Sequence, residues 1–521
     1  MTPVHDRRGF LARLGEGMLV AGLGGPLAVE LGLVTGTARG DESPGRLEFG
    51  PREELVDLVA ETPPEGIVRA VVQRLRSGTT LEAIVAAAAL ANARACGGED
   101  YVGFHTFMAL APALHMAGEL PAERRALPVL KVLHRNARCL HDPSRAGQGD
   151  ALAAVAAATD AKATASDLRD AVRGRDLARG EAIFATLAGS APDAVWNALL
   201  PTVHDGVDVH RIVLAHRAYD MLGLVGPEHA GTLLRQSLHY CWKLEEHAAP
   251  RSAALRATLP RLFDEHRLDD VPAVHRPADD AWLESASATL ATLVPADAAG
   301  QVAEWLAAGI DRAGISDALA LAANQLVLRD AGRPAEWAQP GKPPGSVHGD
   351  SIGVHACDAA NAWRHMASSA DRRNACASLI LAAWHQALDW QDSGRPFAAW
   401  EPRPAAEVLR GVTTTDPAAL LGELDAAIRA GDQERACAVT QRTCDLGHPH
   451  RGLLDRLLAY AVSEDGSLHA EKFYRTATDE LARARPRHRA RHLTALARVT
   501  ASEYGTPAPG VAEACGLLGV A

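Results

Sequence analysis

The stretch Asp208–Leu222, DVHRIVLAHRAYDML, sets His210, His216 and Asp220 among aliphatic residues at helical spacing. Moving outward from it, the same polar pattern occurs in three other places. Aligned without a gap, GEDYVGFHTFMALAPALHMAGELPAERRALPVLKVLHRN places His105 on His210, His115 on Asp220 and His134 on His239. A third block gives His355, His365 and, after one extra residue, His385. A fourth gives His469 and Asp479, with Arg498 in the last column. Five residues ahead of each leading histidine stands an acid: Asp100, Asp205, Asp350 or Glu464. The pattern reads D/E-x4-H-x9-H/D, then a last polar residue about twenty positions on. Blocks one and three, and blocks two and four, match best. The reading is therefore an all-α chain of four helical-hairpin repeats, arranged as a duplicated pair in one pseudo-twofold globule.

Composition agrees with a helical globule. Alanine and leucine recur every three and four residues, as in TLEAIVAAAALANARA, and β-branched alternation is missing. Clusters of Pro and Gly break the chain after about residues 38, 141, 271, 332 and 401. Three segments follow: residues 1–38, a first helical half at 50–250 with repeats one and two, and a second half at 280–510 with repeats three and four. A net charge of −11, with no basic stripe carrying aromatics, excludes a nucleic-acid binder.

The first segment, DRRGFLARLGEGMLVAGLGG, resembles a twin-arginine (Tat) export signal: paired Arg7 and Arg8, then Phe10 and Leu11, then a weakly apolar run. The resemblance implies export to the periplasm or cell envelope. No segment reads as an integral membrane domain. The eight cysteines form no C-x-x-C pair and read as buried thiols. H-E-x-x-H, the E-x-x-H of di-iron helices, the phosphate-binding G-x-x-x-x-G-K-[ST] and a dinucleotide fingerprint are all missing.

Helix geometry sorts the columns. Ten residues rise about 15 Å and end about 80° out of phase, so the leading and middle residues of one block belong to different layers. A helix returning after a short connection brings the last column back toward the first. One layer then holds His105, His210, His355 and His469 with His134, His239 and His385. A second holds His115, Asp220, His365 and Asp479. Imidazoles converging from four blocks are candidates for catalysis or for ligating iron or copper. His216 joins them on the opening stretch, although it has no counterpart in the other blocks. The upstream acids read as helix N-caps. His488 and His492, amid arginines, read as a solvated face, and His448 and His450 as a turn.

The segments HRIVLAHRAYDML with LLRQSLHYC, GVHACDAANAWRHM with LILAAWHQAL, and FHTFMALAPALHMAGEL resemble the histidine-bearing helices of the questin oxidase-like family. The resemblance implies a helical fold and an oxygenase of the Baeyer–Villiger kind, using NADPH on a quinone- or phenol-like small molecule. It places His105, His210, His216 and His355 in the pocket. Two readings stand: an exported oxidoreductase with a histidine-lined substrate pocket, and a non-catalytic helical-repeat protein that holds a metal or a partner through the same layer.

Overall fold

The structure, a computed structural model, describes residues 45–157, 163–270, 276–391 and 395–520. The Tat-like segment lies outside them. The described residues form helices joined by turns and a few isolated bridges, with no strand.

Each leading histidine lies on the fourth of five successive larger helices. The helices Glu53–Glu61, Pro64–Arg76, Leu81–Cys96, Tyr101–Glu119 and Leu127–Leu140 are followed by Ala165–Arg173, Leu177–Leu187, Pro192–Val203, Val209–Asp220 and Ala230–His266. The second half runs Asp280–Leu290, Pro295–Ala307, Arg312–Arg329, Ile352–Ser369 and Arg372–Trp390, then Pro417–Arg429, Gln433–Asp445, Arg451–Ser463, His469–Arg483 and Arg489–Glu503. In every quintet the third helix touches the first and fourth, and the fifth touches the second and fourth. The hairpin read from the sequence is the fourth and fifth helix of each quintet.

The four fourth helices, called here the His105, His210, His355 and His469 helices, close on one another. The His105 helix packs on the His210 helix, that on the His355 helix, that on the His469 helix, and the last on the first. They form a bundle wrapped by the remaining helices. Small side chains permit the enclosure: Leu81–Cys96, beside the His105 helix, is buried from Ile84 to Arg94, seven of these positions being alanine or asparagine with no bulk to keep neighbours apart. No helix among the described residues is long and apolar enough to cross a membrane. All eight cysteines are free thiols, six of them buried.

Candidate functional site

Positions i, i+3, i+7 and i+10 of a helix make the heptad stripe that faces a bundle axis. The leading histidines open that stripe on their four helices, and their imidazoles meet in a closed ring. Ring centres are 4.7 Å apart for His105 and His210, 5.6 Å for His210 and His355, 5.3 Å for His355 and His469, and 5.4 Å for His469 and His105. The Nε2 atoms approach in two pairs, His105 with His210 at 3.1 Å and His355 with His469 at 3.3 Å.

Backbone carbonyls define the protons. His105 Nδ1 is 2.7 Å from the Tyr101 carbonyl oxygen, and His469 Nδ1 is 3.1 Å from that of Ser467. A carbonyl only accepts, so each Nδ1 carries the hydrogen and each Nε2 presents a lone pair inward. His210 and His355 donate from Nε2 to those lone pairs. All four rings are neutral at neutral pH. Burial, then the Lys472 cation, holds His105 and His469 well below the usual imidazole range. Burial takes His210 to about 4 although Asp208 opposes it, and takes His355 to about 3. As the rings stand, no three His, Cys, Asp or Glu among the described residues are arranged to hold a metal ion.

Groups that the repeat did not reveal surround the ring. Asp208 caps the His210 helix, accepting from the His210 and Arg211 amides at 3.1 Å each and from the Tyr240 hydroxyl at 2.9 Å. Its Oδ1 lies 3.8 Å from His210 Nδ1. Lys472 and Asp358, each three residues after a leading histidine, are buried below it. Burial lowers Lys472 to about 8 against the pull of Asp358 and Glu471. The i+3 spacing was the available signal, hidden because neither residue recurs in the other blocks.

The second layer forms in part. His365 Nε2 lies 2.7 Å from Asp479 Oδ2, and the His216 ring stacks on His365 at 4.5 Å and 12°. Burial pushes the Asp479 carboxyl up, but His365, Asn361 and Arg483 hold it far below the carboxylate range. His115 and Asp220 stand at the rim. His115 meets Glu119 at 3.0 Å and Arg475 at 2.7 Å, while Asp220 faces Arg217 at 3.8 Å and is half-exposed.

The last column does not join the ring. His134 packs on Gly510, and His239 lies between Glu99 at 2.6 Å and Glu181 at 2.8 Å, whose charges raise it against burial. His385 faces the Trp363 indole at 3.4 Å and acts on Asp208. A returning helix reaches the right height but is offset sideways by about 8–10 Å, so equal level is not equal face.

The upstream acids differ from expectation too. Only Asp100 is a cap, accepting from the Gly103 amide at 2.7 Å. Asp208 and Ser351 cap the His210 and His355 helices, and Leu468 precedes the His469 helix without a side-chain cap. The acids instead pin the entry loops. Asp100 holds Arg145 at 2.9 Å, Asp205 takes two bonds from Arg173 at 2.5 Å, Asp350 holds Arg333 and Lys342, and Glu464 accepts from the Gly505 amide at 2.9 Å. His488 and His492 are buried rather than solvated, with burial lowering His492 to about 4. His448 lies in a turn as read, bonded to the Thr415 carbonyl.

The arrangement defines a class: a helical bundle with a polar axis, neutral and imidazole-lined at one end, charged at the other. No protein-family model, no curated protein and no solved structure matches the chain.

Proposed function

We propose that the chain is an exported helical-repeat protein, built as a duplicated pair of repeats about a pseudo-twofold axis, that holds one transition-metal ion on the Nε2 atoms of His105, His210, His355 and His469. One observation carries this reading: four neutral imidazoles, from helices far apart in sequence, share one buried point, with two Nε2 lone pairs aimed inward by Nδ1–H bonds to backbone carbonyls. That is the tautomer and outer contact that metal-ligating histidines use. An ion about 2 Å from each Nε2 in tetrahedral geometry sets ring centres about 5 Å apart, near the separations in the ring. Binding requires the two Nε2 pairs to close on one another. It also requires His210 and His355 each to move the proton from Nε2 to Nδ1, which for His210 faces the Asp208 carboxylate. Imidazole-only sets suit iron, copper or zinc.

Iron or copper there supports the oxidoreductase reading, with the Tyr101 ring 4.4 Å from His105. Oxygenation of a quinone- or phenol-like molecule with NADPH, which the family resemblance implies, needs space beside the histidines. Two cavities, one lined by Cys357, Thr476 and His492 and the other by Glu464 and Glu503, are each ≈ 10 Å³, room for about one water, and no ring histidine lines either. The metal-holding reading ranks first because it uses only side chains that already meet.

The test is elemental analysis of untagged protein beside the His105→Ala/His355→Ala double variant. One equivalent of metal in the wild type and none in the folded variant is expected. Metal-free wild type that gains no stability from added iron, copper or zinc removes the reading.

A further inference from the structure

The other end of the axis holds positive charge that no hydrogen-bonded carboxylate meets. The Arg217 side chain is 4% exposed, yet its guanidinium makes no hydrogen bond among the described residues. The closest carboxylate oxygen, Asp220 Oδ2, stands 3.8 Å from Nη1, and the buried Nε has no partner. Arg475 Nη1 lies 2.7 Å from His115 Nδ1, the ring's acceptor nitrogen when Nε2–H faces Glu119 at 3.0 Å, and has no carboxylate hydrogen bond among the described residues. His216 Nε2 is also buried and unpartnered, although its ring lies flat on His365.

The acids within range are engaged elsewhere. Asp479 accepts from His365, Asn361 and Arg483, and Asp358 from the Thr476 hydroxyl at 2.8 Å. At the position of Arg217 the other three helices carry Pro112, Ala362 and Thr476, so the repeat supplies no counter-charge. The buried Arg217 Nε–H left without an acceptor costs free energy that an oxyanion bonded to Nε and a neighbouring Nη would recover. This end is also the accessible one: the side chains of His365, His115 and Asp220 are 23%, 34% and 45% exposed.

We propose that this end of the bundle is an oxyanion-binding site, taking the carboxylate or phosphate group of a small ligand between Arg217 and Arg475 with His216 Nε2 as a third contact. The inference is independent of the metal reading, since it uses none of the four ring histidines.

The experiment is calorimetric titration and thermal unfolding of the full chain with sodium phosphate and with sodium benzoate, against sodium chloride at matched ionic strength. Wild type is expected to bind one of them saturably. Arg217→Gln and Arg475→Gln should each weaken binding about tenfold or more, the worth of a charge-assisted hydrogen bond, and the double variant should abolish it. Arg475 is partly exposed, so its variant decides the matter should Arg217→Gln not fold. His105→Ala/His355→Ala should bind like wild type, which separates failure of this site from failure of the metal centre. Phosphate binding alone assigns a phosphoryl group and benzoate alone a carboxylate. No saturable effect beyond chloride, or equal binding by wild type and the folded arginine variants, overturns the proposal.

Discussion

The two ends of the bundle axis come from the same four helices, ten residues apart, and use opposite electrostatics. At the His105 end, four imidazoles are enclosed and neutral, satisfied by each other and by two backbone carbonyls. At the His365 end, one histidine is hydrogen-bonded to Asp479, the His216 Nε2 is without a partner, and two arginines lack carboxylate hydrogen bonds. Depth decides the difference. Full enclosure penalises the charged form of imidazole, so the deep ring sheds its protons. At the other end the His365 and His115 side chains are partly exposed, whereas Arg217 and His216 stay buried. A repeated polar column therefore need not carry a repeated function.

The contrast can be broken most severely at the buried ion pair that ties the first quarter to the His469 helix. Lys131 Nζ lies 2.7 Å from Glu471 Oε1, with both side chains at most 2% exposed. Lys131→Met leaves Glu471 with only the neighbouring Lys472 charge and is expected to cost about 3 kcal/mol, whereas Lys131→Met/Glu471→Leu should recover most of it. Urea unfolding checks both. A single variant as stable as wild type would mean that this end is not held by buried charge.

A smaller loss is expected from Gly349→Ala. A Cβ there would stand 2.0 Å from the Cβ of His469, so the His469 helix must shift. The expected cost is about 1–3 kcal/mol, with metal uptake falling along with it. Unchanged metal content would show that His469 is dispensable in the ring.

Glu503 sharpens the comparison through pH. Burial raises its carboxyl to about 8 although Lys131 and the Gly349 amide pull it down. A group whose folded value lies above its unfolded value stabilises below the latter and loses that contribution as pH rises. Between about pH 4.5 and 8, Glu503→Gln should therefore gain steadily in stability relative to wild type. Parallel pH profiles would exclude a protonated Glu503.

The smallest effect is expected at the open end. His216→Phe keeps the stack on His365 and removes a buried nitrogen without a partner, so stability should change by less than about 1 kcal/mol, in the favourable direction. A loss above about 2 kcal/mol would reveal a hidden partner for that nitrogen.

The helical class was legible because alanine and leucine at three and four residues leave no other period. The ring was legible because four histidines recur at fixed distance from an acid while the aliphatic positions drift. Sequence spacing misled in the last column, where matching height along the axis was read as matching face. It misled again at Asp205, Asp350 and Glu464, where arginines, a lysine and a backbone amide, not helix ends, claim the carboxylates. His488 and His492 were misread because neighbouring arginines say nothing about which side of a helix another element covers.

By itself the sequence determined that the chain is helical and which four histidines recur at one distance from an acid. Those are periodicities, and periodicity is carried along the chain. Only the tertiary structure decided that these histidines point at one another, that Asp208, Lys472 and Asp358 surround them, and that Arg217 and Arg475 face the opposite end without acceptors. These depend on the lateral offset between packed helices and on depth from solvent, neither of which is written in the spacing of residues along one helix.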